Sequence, residues 1–256
     1  MKQEGLLNRL LAHPLTRGVA VDDPRTTALR REIIQRKPFL TALYRDWYNR
    51  LLSRVSRGGR ILELGSGAGF LGDIAPEVIT SEVFATPGVM LVADGQRLPF
   101  VRAGLDAIVM TDVFHHIPDV AAFLGEAARC VRPGGRLVMI EPWRTRWSQW
   151  VYRALHSELF DPNAGWEIPC SGPLSGANGA LPWIVFHRDR HLLQEAFPDW
   201  RLVAVEPMMP FSYLLSGGVS LRSLMPGWSY RLCRMFENRL DASRWAMFAQ
   251  IELERC

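Results

Sequence analysis

The run Ile61-Leu62-Glu63-Leu64-Gly65-Ser66-Gly67-Ala68-Gly69 decides how this chain is read. Four residues, apolar but for one acid, give way to glycine at every second position. A short buried strand that ends in a turn poor in Cβ atoms lets the backbone approach a ligand closely. The turn alone does not choose the ligand. Gly67, Gly69 and Gly72 also fit the G-x-G-x-x-G spacing of dinucleotide sites, which is a weak signal in isolation.

Outward from this turn the chain alternates. Residues 78–83, 89–93, 107–110 and 137–140 are short runs rich in β-branched residues, each bounded by turn formers, as buried parallel strands should be. Residues 118–131 read as a helix with Val120, Phe123, Leu124, Ala127 and Val131 on its buried face, stopped by Pro133-Gly134-Gly135. Strands alternating with helices predict an α/β fold with a doubly wound parallel sheet. The crossover from Glu82 to Val89 is too short for a helix, and Pro76 cuts short the helix after Gly69. One face of the sheet therefore needs another cover. Residues 26–36 and a second helix opening at Pro38 are the candidates, the second carrying Leu40, Leu43, Tyr44, Trp47, Leu51 and Val55 as one apolar stripe. Residues 141–182 read as an excursion from the sheet, residues 188–197 as a helix, and 201–209 and 246–254 as late strands. The 35 residues from 210 to 244 exceed what a connection between two strands needs.

Composition narrows the classes. With 48% hydrophobic and 22% charged residues the chain is neither disordered nor a disulfide-stapled mini-protein. Its four cysteines form no C-x-x-C pair, which disfavours a structural zinc site; no metal is expected, and a reducing cytoplasm is the default. No run is long enough to span a bilayer, and the first residues lack the apolar core of a secretion signal. The net charge of +4 is uneven: residues 1–60 hold 13 basic and 5 acidic residues, and residues 61–141 hold 5 and 10. A basic leading segment reads first as a solvated helix face, and otherwise as a surface for an anionic partner.

Three further strings join the glycine turn: Glu63 inside the strand end, Asp94-Gly95-Gln96-Arg97-Leu98-Pro99-Phe100 after the third strand, and Arg132-Pro133-Gly134-Gly135-Arg136 before the fifth. As a set they resemble the class I S-adenosylmethionine-dependent methyltransferases, in the small-molecule branch that includes the ubiquinone/menaquinone enzymes. The resemblance is close over residues 60–141 and loose over 188–254. It implies a Rossmann-like seven-stranded sheet with an antiparallel last strand. With the thinned crossover and the long late segments of this chain, the expected organisation is an N-terminal helical cover over residues 1–59, then a catalytic domain over 60–256 with acceptor or lid insertions at 142–187 and 210–244. The cofactor that the resemblance implies is S-adenosyl-L-methionine. Glu63, Gly65, Ser66, Gly67 and Gly69 would surround the cofactor's amino-acid end. Glu82 would hold the ribose hydroxyls, and Asp94, Gly95 and Gln96 would lie at the adenine. Thr111 and Asp112, at the end of the fourth strand, would lie near the methionine moiety.

Methyl transfer from a sulfonium needs a base only where the acceptor must lose a proton. Glu141 ends the fifth strand at the place an acceptor would occupy, and His156 in the excursion is the first choice as base or orienter. His116 is a further candidate, although the string Val113-Phe114-His115-His116-Ile117-Pro118-Asp119 looks like a pocket wall that many members of the branch carry. Eight of nine tryptophans lie beyond residue 140, which suits an apolar or lipid-linked acceptor, methylated at oxygen or carbon, and peripheral contact with the inner face of a membrane. A homodimer interface is the other use of such a surface. Two alternatives are a non-catalytic cofactor-binding scaffold for a partner enzyme and a nucleic-acid methyltransferase. The second is disfavoured because no base-methylating N-P-P-Y-like string occurs. A dinucleotide oxidoreductase is disfavoured by the Asp94 and Pro133-Gly134-Gly135 contexts.

Overall fold

The computed structural model describes residues 23–155, 158–168, 172 and 175–256. Two helices come first. α1 (Pro24–Arg36) opens on Asp23, whose side chain accepts from the Arg25 amide, and α2 (Pro38–Ser53) opens on a proline in its first turn. Then follow β1 (Ile61–Leu64), the single turn α3 (Leu71–Ile74), β2 (Ile79–Glu82), β3 (Leu91–Val92) and β4 (Leu105–Thr111). A 3-10 turn at Phe114–His116 leads to α4 (Val120–Cys130) and β5 (Val131–Pro142). The excursion holds α5 (Arg146–Leu155) and α6 (Leu181–Trp183), which continues as a π-helical turn to Arg188. After it come α7 (Arg190–Ala196), β6 (Trp200–Met208), α8 (Ser212–Ser216), α9 (Tyr230–Glu237), α10 (Ala242–Trp245) and β7 (Phe248–Arg255).

The seven strands run β3-β2-β1-β4-β5-β7-β6. The four pairings among β1 to β5 are parallel, and β7 lies antiparallel to both of its neighbours, β5 and β6. The α/β fold with an antiparallel last strand therefore stands as read. So does the thinned crossover: between β2 and β3 the chain makes only a turn, closed by the Val89 amide on the Thr86 carbonyl at 3.2 Å.

Strand alternation sorts side chains to two cores. Leu62, Leu64, Ile108 and Met110 face α4 and α7, packing with Phe123, Leu124 and Leu193. Ile61, Val109, Val138 and Ile140 face the other way, onto Leu40, Leu43, Trp47 and Leu51 of α2. So α2 covers the face where the short crossover leaves no helix. Lys37, between α1 and α2, is buried and donates from Nζ to the carbonyls of Ser216, Gly218 (2.6 Å) and Leu221, tying this cover to the segment after β6. Burial pushes its amine down to about 8.

One boundary differs from the sequence reading. Pro133-Gly134-Gly135 does not form a loop ahead of the fifth strand. β5 starts at Val131 and carries these residues as an irregularity, so that Leu105 pairs with Val131 and Ala107 already pairs with Arg136. Gly134 takes a φ of +74°, and the extra residues are pushed out of the ladder as in a bulge.

Candidate functional site

The glycine turn sits at the carboxyl end of β1, where doubly wound sheets place their ligands. Gly65 has φ +70°, and a Cβ there would lie 2.5 Å from Val113 Cγ2, so both backbone and packing require glycine. Ser66 is buried; its amide donates to the Ser81 carbonyl at 2.7 Å and its Oγ accepts from the Ser81 amide at 3.1 Å, stapling the turn to β2. A Cβ on Gly67 would meet Glu82 Oε2 at 2.6 Å and Thr27 of α1 at 3.3 Å. At Gly69 the obstacle is the hydroxyl of Tyr48 on α2, which also accepts from the Phe70 amide at 3.1 Å. The cradle is thus walled by the N-terminal helices.

Two acids face it. Glu63 is buried, and its Oε2 has no hydrogen-bond partner among the described residues. Burial pushes its carboxyl up to about 7, against a lowering hydrogen bond from Ser66. Glu82 is also buried and raised by burial, while the amides of Val83 and Gly67 pull it down. Asp94 is exposed just beyond β3. Its Oδ1 accepts from the Gln96 amide at 2.9 Å and from Gln96 Nε2 at 3.3 Å, which shapes the turn through Gly95. Thr111 ends β4 with a buried hydroxyl that finds no partner among the described residues.

Beyond β4 and β5 lies a second group. Glu141, fully buried, accepts from the Val113 and Phe114 amides, both at 2.8 Å, and pairs with His115 Nδ1 at 2.8 Å. Both of its oxygens are engaged, so it anchors the turn after β4 and does not open toward a ligand. His115 is buried between Glu141 and Glu158, whose Oε2 is 3.5 Å from Nε2. Burial alone would lower its pKa, but hydrogen bonds to Glu141 and Glu158 outweigh it and hold the ring well above its ordinary value. Burial and the neighbouring His115 charge push His116 down to about 4, so its ring is neutral at pH 7 and Nδ1 donates to the Gly176 carbonyl at 3.0 Å. His156 lies outside the described residues.

A small cavity of about 10 Å³ lies beside this group, lined by Asp112, Tyr152, Glu158, Phe160, Tyr213 and Phe248, among others. Asp112 has φ +61°, a strained conformation for a residue with a side chain. Burial pushes its carboxyl up to about 7, although the side chain remains 31% accessible. The walls are packed aromatic pairs: Tyr152 stacks on Phe160 at 4.8 Å, and Tyr213 packs on Phe248 at 4.8 Å and on Trp47 at 5.9 Å. The cavity adjoins the cradle, since Val113, which follows Asp112, is the residue against Gly65.

Two sets of side chains bring one ligand atom each within 4.8 Å of one another: His115 with His116 and Glu158, and Asp112 with His115 and Glu141. The second set is already knit by the Glu141–His115 hydrogen bond. The first is held by the same His115, whose Nε2 faces Glu158 Oε2 at 3.5 Å.

Sequence reasoning brought the two strand-end acids and the glycine turn to one cleft. It missed Thr27, Tyr48 and Tyr152, which reach the site from distant elements. It placed Asp112 with Thr111 by the methionine moiety, whereas in the structure Asp112 lines the aromatic cavity.

Residues 35–166 match the family model described as a methyltransferase domain. The chain is 33% identical over 105 residues to a demethylmenaquinone methyltransferase of Beutenbergia cavernae, covering 34% of this chain and 43% of that protein. A demethylmenaquinone methyltransferase of Mycobacterium marinum is 27% identical over 156 residues, covering 50% and 64%. The chain thus spans less than two thirds of the length of either relative. Among solved structures it resembles a geranyl diphosphate C-methyltransferase from Streptomyces coelicolor, crystallised with magnesium, geranyl diphosphate and S-adenosyl-L-homocysteine. That likeness has a TM-score of 0.52 at 13% identity, over 96% of this chain and 92% of that one, and it is a likeness of fold.

Proposed function

Because the chain belongs to the methyltransferase-domain family over residues 35–166, we propose that it transfers a methyl group from S-adenosyl-L-methionine to a small, apolar acceptor, free or lipid-linked, at oxygen or carbon. The residues present fit that cofactor. Glu63 keeps a buried, unpartnered carboxylate oxygen beside a cradle that Cβ atoms at Gly67 and Gly69 would fill. In this reading Glu63 and the turn from Gly65 through Ser66, Gly67 and Gly69 hold the amino-acid end. Glu82 holds the ribose, Asp94, Gly95 and Gln96 border the adenine, and Thr111 lies by the methionine chain. When bound, the cofactor supplies an electrophilic methyl on a sulfonium.

The observation that carries the acceptor class is the set of aromatic side chains Tyr152, Phe160, Tyr213 and Phe248 gathered with the carboxyl groups of Asp112 and Glu158 around one small cavity. Aromatic walls select an apolar, flat molecule and exclude water. Asp112, raised by burial, takes the acceptor's proton at its carboxylate as the oxygen or carbon becomes nucleophilic. Glu158 lines the same cavity, oriented by the charged His115 ring, which Glu141 holds in turn. Glu141 is accordingly a positioning residue, and His116 serves in the wall. Alignment supplies most of the acceleration, of the order of 7–11 kcal/mol in well-oriented reactions. The names of the demethylmenaquinone relatives support a quinol-like acceptor, and contact with the membrane that stores such molecules belongs to the same reading.

The test uses methyl-labelled cofactor with a panel of quinols, simple phenols and RNA. Label should enter a quinol or phenol, and Glu82→Ala should weaken cofactor binding in calorimetry by about 1.5–3 kcal/mol, the range for a hydrogen bond to a charged group. Label in RNA alone would replace this reading with nucleic-acid methylation. Cofactor binding with no transfer to any acceptor would favour a scaffold.

A further inference from the structure

Helix α9 is mounted with its polar stripe inward. Tyr230, Arg234 and Glu237 are buried, at spacings of four and three. The Tyr230 hydroxyl donates to Asp46 Oδ2 on α2 at 3.0 Å. Arg234 bridges Asp46 at 3.4 Å and Glu237 at 2.6 Å. Glu237 also accepts from the Phe211 amide and from the amide and hydroxyl of Ser212, at 2.5–2.6 Å. These bonds fix the rotation of the helix about its axis. The outward side then carries Leu232, Met235 and Phe236, which are 58%, 60% and 61% exposed, and just upstream Trp228 is 76% exposed. Turning these residues inward would strand a buried arginine and a buried glutamate, so the outward apolar face is built in. A contiguous exposed apolar surface of this kind marks a docking site.

Charge selects what docks. Between residues 210 and 245 the one exposed carboxylate is Asp241, which pairs with Arg244 at 3.2 Å. Arg222, Arg231 and Arg239 are exposed in the same segment, around the apolar residues. A second copy docked symmetrically would set these arginines against their own counterparts. An anionic lipid surface meets both features, with tryptophan and phenylalanine at the boundary of the acyl chains and arginines at the phosphates.

We propose that the outward face of α9, with the loop leading into it, docks the protein on an anionic bilayer. The surface stands on its own side chains. Its use, delivering a lipid-held acceptor to the cavity, rests on the reading given under the proposed function. The connection is short, because Glu237 holds Ser212, the neighbour of the cavity residue Tyr213.

The experiment is co-sedimentation of the full chain with phosphatidylcholine vesicles, with and without phosphatidylglycerol, at low and high salt. Trp228→Ser/Leu232→Ser/Phe236→Ser and Arg231→Glu/Arg239→Glu alter only exposed positions and should keep the parental fold and cofactor affinity. The parent should bind the phosphatidylglycerol vesicles, more weakly as salt rises, and each variant should bind at least about tenfold more weakly. A parent that ignores anionic vesicles at low salt, or variants that bind as the parent does, would overturn the proposal. So would a parental dimer that the serine variant dissociates, since the occupant would then be a second copy. Vesicle binding without cofactor binding would leave the surface standing and remove the proposed function. Cofactor binding and transfer to a dispersed acceptor without vesicle binding would do the reverse.

Discussion

At the scale of single residues, the site collects carboxyl groups at strand ends, and burial gives them unlike roles. Glu63 is pushed from an ordinary 4.5 to about 7, and Asp112 from 3.8 to about 7, burial being the main cause in both. Between about pH 4 and pH 7 the folded protein therefore holds protons that the unfolded chain has released. Linkage then makes stability fall as pH rises through that window. We expect the thermal midpoint of the protein without cofactor to drop from pH 5 to pH 8, and Glu63→Gln and Asp112→Asn each to flatten the slope. A midpoint that rises over this range would show that these carboxyls are ionised in the fold. Activity should run the opposite way. A base must be ionised, so kcat should climb through about pH 7 in the parent. Asp112→Asn should lower kcat by roughly 100-fold or more and remove that limb, within the range general bases supply. A parental pH profile in Asp112→Asn would assign the proton to another group, with Glu158 the next to test. What was legible here was local in sequence. Glu63 and Glu82 could be read because each closes a strand. The engagement of Glu141 could not, because its three partners come from the turn after β4, some twenty-six to twenty-eight residues away.

At the scale of elements, periodicity served the helices well and punctuation served them less well. The stripe on α2 was readable, and Trp47, Leu40 and Leu43 are fully buried as it required. The helix α5 was not read inside the tryptophan-rich excursion, although Thr145, whose Oγ1 accepts from the Ser148 amide at 3.0 Å, stands as a start signal ahead of Trp147 and Trp150 at helical spacing. Pro133-Gly134-Gly135 misled in the other direction, because a bulge and a loop use the same residues. Lys37 is the case with the greatest consequence. Sequence shows only one of two lysines between two helices, whereas the structure buries its ammonium against three carbonyls of residues 216, 218 and 221. No rule of local sequence brings together positions about 180 residues apart. Lys37→Met keeps the length and apolar stem of the side chain while removing all three donated bonds. It should destabilise the protein by about 1.5–3 kcal/mol, the range for hydrogen bonds from a charged group. Denaturant unfolding would measure this, and a change within about 0.5 kcal/mol would mean that water serves those carbonyls equally well.

At the scale of the whole molecule, the two faces of the sheet are covered by different means. Helices α4 and α7, each adjacent in sequence to the strands they cover, close one face. The other face is closed from far away. α2 arrives from the N-terminal side and the segment after β6 from the C-terminal side, and they meet in the stack of Trp47 on Tyr213 and in the Lys37 and Arg234 contacts. Removing either partner strips the other. Replacing residues 210–244 with a short loop would expose Trp47 and leave Lys37 without acceptors, so such a variant would report on folding as well as on any lid over the cavity. Deleting residues 1–56 is the sharper test. It removes eight buried side chains of α2, including Trp47 and Tyr48, and bares Ile61, Val109, Val138 and Ile140 beneath them. Loss of one large buried aromatic alone costs about 3–5 kcal/mol, and a domain holds only about 5–15 kcal/mol in total. The truncated chain should therefore lack a cooperative thermal transition and should not bind cofactor, because the Tyr48 and Thr27 walls of the glycine cradle go with it. Trp47→Ala is the graded companion, expected to unfold at lower denaturant with an unchanged slope. A truncated chain that melts cooperatively and binds cofactor like the parent would show that the N-terminal helices are an appendage, and that the sheet face finds its cover elsewhere.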